Sequence, residues 1–191
     1  MEILLMKTRI VVDSAASLYA LDGVDFACVP LKIITDHEEY HDDGTLDAVG
    51  MATTLRTYKG KTSTSCPNVG DWLAAYEGAD EVYAITITGT LSGSCNAAQL
   101  AAEEYQQENP GKRVFVLDSL STGPEQVLLA EHLRDELAAG KEFDDNGDTV
   151  MFAPGKAMYA TPGKGINEIR IAYILKREDL IRACQLLALG I

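Results

Sequence analysis

The sequence predicts an α/β fold: a parallel sheet with crossover helices, followed by a short α/β tail. Three observations carry this. Short apolar runs of strand length recur as Arg9-Ile10-Val11-Val12, Glu81-Val82-Tyr83-Ala84-Ile85 and Arg113-Val114-Phe115-Val116-Leu117. Segments with helical spacing of apolar residues alternate with them, as parallel strands require. Finally, the runs end in small polar residues, Asp13-Ser14, Thr86 to Ser94 and Asp118-Ser119. In a parallel sheet such strand ends share one edge, and ligands bind in the crevice outside it.

Each element follows from its residues. The first strand closes at Asp13-Ser14. Phe26 to Ile33 reads as a second strand, and Pro30 inside it argues for an edge position or a bulge. His37 to Gly44 is a polar loop whose Asp42-Asp43-Gly44 reads as a turn plus a helix cap, before a helix through Met51, Leu55 and Tyr58. The polar cluster Lys61 to Asn68 precedes a helix from Val69 to Tyr76. Pro67 suits its first turn, with Ser65 or Cys66 near the cap. After the strand Glu81 to Ile85, Ala97, Ala98, Leu100, Ala101 and Ala102 give a helix from Ser94 to Tyr105. The last strand, Arg113 to Leu117, leads to a helix from Pro124 to Ala139 carrying Val127, Leu128, Ala130, Leu133, Leu137 and Ala138, closed by Gly140. Asp144-Asp145-Asn146-Gly147-Asp148 is turn material, so residues 1–145 read as one domain and 146–191 as a separate segment.

Composition excludes more than it names. A chain of 191 residues supports one good core, or one domain with an appendage. Its 47% hydrophobic and 7% aromatic content is that of a globular protein. A net charge of −13 repels phosphate backbones, so nucleic acid is not an expected partner, and anionic membrane surfaces are disfavoured too. Cys28, Cys66, Cys95 and Cys184 are scattered without a C-x-x-C pair, which fits neither a disulfide framework nor a zinc site. No metal and no cofactor are expected. Cys66 and Cys95 fall within the polar loops and read as soft pocket-lining residues. The N-terminal Met1 to Lys7 is too short for a signal h-region and no transmembrane run is present, so the expected location is the cytoplasm.

Chemistry concentrates at the sheet edge. Thr86-Ile87-Thr88-Gly89-Thr90-Leu91-Ser92-Gly93-Ser94 joins a strand to a helix, and a helix N-terminus attracts anions through its unpaired N–H groups and dipole. Gly93 permits close approach of a ligand to the backbone, and Ser92 and Ser94 add hydroxyls. With Thr64 and Ser65 at the other helix entrance, and the pairs Asp13-Ser14 and Asp118-Ser119, one ligand site is expected. An enzyme reading is weaker. Asp13 and Asp118 are an acid/base pair by type, but each precedes a serine where it can accept backbone N–H groups, the role favoured here. His37 and His41 lie in a loop with nothing to orient them, and His132 lies in a helix away from the strand ends. No G-x-S-x-G elbow, P-loop or G-x-G-x-x-G is present. Neutral donors beside an apolar slot suit a carboxylate headgroup.

Val12-Asp13-Ser14, Pro30-Leu31, Thr64-Ser65-Cys66-Pro67, Leu91-Ser92-Gly93-Ser94 and Val116-Leu117-Asp118-Ser119-Leu120-Ser121-Thr122-Gly123 together resemble the DegV family. The resemblance runs from Lys7 to Asp145. Tyr40-His41-Asp42-Asp43-Gly44 fits the family's Y-x-D-G element with one residue added. Ser94 replaces a usual threonine, and Cys95-Asn96 stands where an aromatic-Gln pair is common. The resemblance implies a lipid-binding protein rather than an enzyme. It implies that the hydroxyls of Ser65 and Ser92 hold a long-chain fatty acid by its carboxylate, with Thr64 and Ser94 beside them. A separate fatty acid kinase would then receive the bound acid. Residues from about 147 to 191 instead resemble the C-terminal end of a fold-type-I aminotransferase, in which Arg170 would grip a substrate carboxylate and a helix from Arg177 to Leu189 would close the small domain. The pyridoxal lysine has no counterpart, so that resemblance implies an inactive fragment. The family's second lobe also has no counterpart, which leads to the expectation of an impaired carrier. A folded remnant without ligand, self-associating through an uncovered cleft, is the third reading.

Overall fold

The computed structural model describes residues 6–139, together with the backbone of two short strands at 153–154 and 169–170. In chain order the elements are β1 (Thr8–Asp13), β2 (Asp25–Val29), β3 (Lys32–Thr35), β4 (Glu39–His41), α1 (Ala48–Thr57), β5 (Thr62–Ser65), α2 (Val69–Tyr76), β6 (Glu81–Thr86), α3 (Ser94–Glu108), β7 (Arg113–Asp118), α4 (Pro124–Ala138), β8 (Ala153–Pro154) and β9 (Ile169–Arg170). The chain divides into compact units Met1–Arg134 and Asp135–Ile191.

The main sheet has four parallel strands in the order β2-β1-β6-β7. Every residue of β6 is buried, as the near-continuous apolar run of a central parallel strand demands. Its one charged residue, Glu81, accepts from the Arg113 guanidinium at 2.6 Å. Side chains alternate along the strands. Val11, Val82 and Ala84 join a core with Trp72 and Tyr76 of α2 and Ala98, Ala101 and Tyr105 of α3. The alanines let α3 approach closely, and the Tyr76 hydroxyl donates to Ala98 O at 3.2 Å across the two helices. Ile10, Val12 and Ile85, one residue out of phase, are buried as well.

A second, antiparallel sheet of order β4-β3-β5 differs from the sequence expectation. The run Phe26 to Ile33 is not one strand. It divides between the two sheets at Pro30-Leu31. Pro30 has no N–H to give a ladder. The Leu31 N–H donates to Ser14 Oγ at 2.9 Å, and Leu31 O accepts from Asp42 N at 3.0 Å. The backbone at the break is therefore satisfied outside either sheet. The polar segment Thr62–Ser65 is a strand rather than a loop, paired with β3 in the register Ile33↔Thr64 and Lys32↔Ser65. Part of the expected polar loop, Glu39–His41, pairs with β3 on its other side.

Two helix starts also differ. Asn68 caps α2, not Ser65 or Cys66, and Pro67 lies outside the helix. The Asn68 side chain accepts from Asp71 N at 3.0 Å while Asp71 accepts from Asn68 N at 2.9 Å, a reciprocal capping box. Asp47 caps α1 by accepting from Gly50 N at 2.9 Å. Asp43 instead closes the preceding turn on Thr45. Gly44 in that turn has φ +83°, and a Cβ there would lie 2.7 Å from Tyr19 Cγ, so both backbone and packing require glycine.

Beyond α4, Ala153 pairs with Arg170 and Pro154 with Ile169, antiparallel. The expected Gly140 cap, the linker at 144–148, Cys184 and the helix from Arg177 to Leu189 lie outside the described residues. No helix among the described residues is long and apolar enough to cross a membrane.

Candidate functional site

The loop from Ile87 to Gly93, between β6 and α3, is held from below at several points. Asp13 Oδ2 accepts Ile87 N–H at 2.9 Å and the Ser94 hydroxyl at 2.7 Å. Thr88 N–H donates to Ser121 O at 2.9 Å, and Gly89 N–H to Asp118 Oδ2 at 3.0 Å. Within the loop, Thr88 O accepts from Leu91 N at 3.0 Å and from Ser92 N at 3.2 Å. The ends of β1 and β7, with Ser121 just beyond β7, thus fix the loop that leaves β6.

These bonds leave a specific pair of donors. Ser92 Oγ accepts from Ser94 N at 3.2 Å, which uses an oxygen lone pair and leaves the O–H to donate. Gly93 N–H has no partner among the described residues, whereas Ser94 N–H is already taken by Ser92. Ser92 O–H and Gly93 N–H therefore stand together at the start of α3. They border an open cleft of about 560 Å³, also lined by Thr90, Asn96, Gln99 and Asp118. The end of β5 closes toward it: a Cβ on Gly93 would lie 3.2 Å from Cys66 Sγ. A side chain at Gly93 would be tight against Cys66, whereas its φ of −72° is open to any residue.

The remaining nominated residues divide into several groups. Asp13, Ser14 and Ser94 are buried and bonded to protein: Ser14 Oγ serves Leu31 N–H, and Asp13 and Ser94 serve each other. Asp13 and Ser94 support the loop and Ser14 holds the break between the two sheets, and none of the three lines the cleft. Asp118 lines the cleft, but its oxygens accept from Gly89 N and Leu120 N. Ser119 bonds both ways with Ser121. Ser65 is half-buried and donates to Cys66 O at 3.1 Å, whereas Thr64 is exposed. Successive residues of a strand face opposite sides, so only one of this pair can turn to the cleft. Of Arg170 the structure describes the backbone alone, in β9.

One participant was not nominated. Gln126 of α4 is fully buried and donates to Asp13 Oδ1 at 3.0 Å. Its position carries only a weak sequence signal, a polar residue on the apolar side of a helix.

Electrostatics argue against nucleophilic chemistry. Burial pushes the Cys95 thiol up, and pushes Cys28 up to about 12, so both stay protonated. Burial also raises Asp13, although donors from Ser94, Gln126 and Ile87 oppose it. None of His37, His41 and His132 lines the cleft. Among the described residues no group of His, Cys, Asp and Glu is placed to hold a metal ion. The cleft offers neutral hydrogen-bond donors, Ser92 O–H and Gly93 N–H at its base with the Asn96 and Gln99 amides beside them, and one carboxylate, Asp118.

Residues 7–150 match the family of uncharacterised proteins known as DegV. The chain belongs to the DegV family. A DegV domain-containing protein of Streptococcus pneumoniae is 38% identical over 144 residues, covering 73% of this chain and 51% of its own length. One from Streptococcus pyogenes is 40% identical with the same coverage. Among solved structures, a DegV protein of Eubacterium eligens loaded with heptadecanoic acid is 41% identical with a TM-score of 0.70. The Fatty Acid Kinase (Fak) B3 protein of Streptococcus pneumoniae, loaded with linoleic acid, is 38% identical with a TM-score of 0.70. Both matches cover 73% of this chain and 51% of the other. The chain thus spans about half the length of the DegV relatives it matches. The parallel sheet and its helices have the fold of those structures, and the match runs five residues beyond the boundary expected at 145.

Proposed function

We propose that this DegV chain binds a long-chain fatty acid by its carboxylate and presents it to a fatty acid kinase, itself performing no chemistry. One observation carries the reading: Ser92 O–H and Gly93 N–H stand unengaged, side by side, at the N-terminus of α3 on the edge of the cleft. A carboxylate accepts such donors in charge-assisted bonds and gains further from the helix dipole. Ser65, whose hydroxyl donates to Cys66 O in the free protein, would have to turn from that bond to add a third donor, and Thr64 is its exposed neighbour on β5. Two relatives of 41% and 38% identity carry fatty acids, and one of these is named for a fatty acid kinase. The high, burial-raised pKa of Cys95 supports a carrier over an enzyme, since it keeps the thiol beside the cleft uncharged. A cytoplasmic carrier fits the acidic composition. The tail remains, on its sequence, aminotransferase-like without the lysine that pyridoxal chemistry needs, and we assign it no reaction.

The test is native mass spectrometry of the full chain, with lipid extraction and then titration with oleic acid. A stoichiometric adduct of acyl mass is expected. A chain that carries no lipid when isolated, and takes up none at saturating oleic acid, would overturn the assignment.

A further inference from the structure

A single carboxylate oxygen closes the base of the cleft loop. Asp13 Oδ2 receives Ile87 N–H at 2.9 Å and Ser94 O–H at 2.7 Å, so the two ends of the loop meet at one atom. The other oxygen, Oδ1, receives Gln126 Nε2 at 3.0 Å. Gln126 is itself oriented, because its Oε1 accepts Gly123 N–H at 3.2 Å. Asp13, Ser94 and Gln126 are all 0% exposed, and none of the three lines the cleft with Ser92 and Gly93. Burying a carboxylate is costly, and apolar residues of similar volume often stabilise a core as well or better. What the carboxylate supplies is geometry: several donors converge on it from the loop after β6, from α3 and from α4, each with a fixed direction.

We infer that Asp13 and Gln126 are positioning residues for the anion-binding turn, setting the place of Ser92 and Gly93 without touching the ligand. Through Gln126 the start of α4 becomes part of the foundation of a site built on α3. The inference rests on the fatty-acid reading for its consequence, and on the buried network for its geometry.

Donor and acceptor matching makes the network testable. In Asp13→Asn one oxygen can still serve Ile87 N–H and Ser94 O–H, but the new amide N–H₂ meets the Gln126 amide donor. Turning the Gln126 amide over moves the conflict to Gly123 N–H. Gln126→Glu alone sets two carboxylates against each other in a buried space. The double variant Asp13→Asn/Gln126→Glu restores the match between the two side chains: the new carboxylate accepts from the new amide and from Gly123 N–H. The experiment measures oleic acid dissociation constants and amide hydrogen exchange of residues 87–93 in the full chain for all four proteins. Asp13→Asn is expected to weaken oleic acid binding, and to speed exchange in that segment, each on the order of tenfold. The double variant is expected to recover both to within about threefold, by the same matching of bonds. A folded Asp13→Asn that binds and exchanges like the parent, or a double variant no better than the single, overturns the inference. If Asp13→Asn does not fold, Ser94→Ala removes one arm of the clamp and must move both readouts the same way, or the inference fails. If the parent chain does not bind oleic acid, the fatty-acid reading fails on its own. Exchange then decides the clamp: faster and rescued supports it, unchanged overturns it.

Discussion

Ser92 makes one bond in the free protein and is proposed to make a second in the complex, so its removal separates folding from binding. Its Oγ accepts Ser94 N–H at 3.2 Å, the kind of bond at a helix start that contributes about 1 kcal/mol or less. Its O–H would donate to a charged carboxylate, a bond of about 1.5–3 kcal/mol. Ser92→Ala is therefore expected to lower oleic acid affinity by roughly ten- to a hundredfold, because about 1.4 kcal/mol is a factor of ten. The thermal midpoint should drop by only a few degrees. Isothermal titration beside calorimetric melting reads both. A variant that binds oleic acid as tightly as the parent would remove Ser92 from the site. Ser94 provides the contrast, since its buried hydroxyl is already given to Asp13 and has none left for a ligand. The two serines look interchangeable in sequence, two residues apart in one small-residue turn. What separates them is the first turn of α3, which carries Ser94 inward and leaves Ser92 on the rim.

At the scale of elements, α2 gives the cleanest prediction. It spans only Val69–Tyr76, too short to be stable alone, and yet it carries Trp72 and Tyr76, both 0% exposed, into the core. Its start is held by the reciprocal bonds of Asn68 and Asp71. Asn68→Ala breaks the box and is expected to cost about 1 kcal/mol, lowering the urea midpoint with an unchanged slope. A changed slope would mean that α2 melts separately from the sheet. Elements with strong local signals were legible in the sequence: β1, β6 and β7 as apolar runs, α3 and α4 as spaced apolar faces. The antiparallel sheet was not, because its strands have no such signal. Thr62–Ser65 is four small hydroxyl residues, and it is a strand only because β3 offers it a ladder. The break at Pro30-Leu31 was equally hidden. It depends on Ser14 and Asp42 supplying partners for Leu31 from elsewhere in the chain. At the site, the small-residue turn was visible. Gln126 was not, since its bond to Asp13 joins residues 113 positions apart and no local pattern encodes it.

Over the whole molecule, two buried or half-buried aspartates bend the pH dependence of stability in opposite directions. Burial holds Asp13 above the usual carboxylate range in the folded protein, against the pull of its donors. The folded state therefore binds its proton more tightly than the unfolded chain does. Its contribution to stability is greatest below the unfolded value of about 3.9 and declines as pH rises through the folded pKa. Asp25 is also raised by burial, but the Arg9 guanidinium at 3.0 Å and the Lys7 ammonium outweigh this and bring it below its ordinary value. Its contribution is complete above the unfolded pKa and is lost as pH falls through the folded one. Replacing each by asparagine removes one of these titrations from the same fold. The stability penalty of Asp25→Asn is expected to be largest near neutrality and to shrink in acid. The penalty of Asp13→Asn is expected to grow as pH is lowered. Urea titrations of the parent and both variants, between about pH 3 and 7, give these penalties as differences, so shared charge effects cancel. If the Asp13→Asn penalty rose with pH, the ionised carboxylate would be the form the fold prefers, and the converging donors would outweigh the cost of burying it.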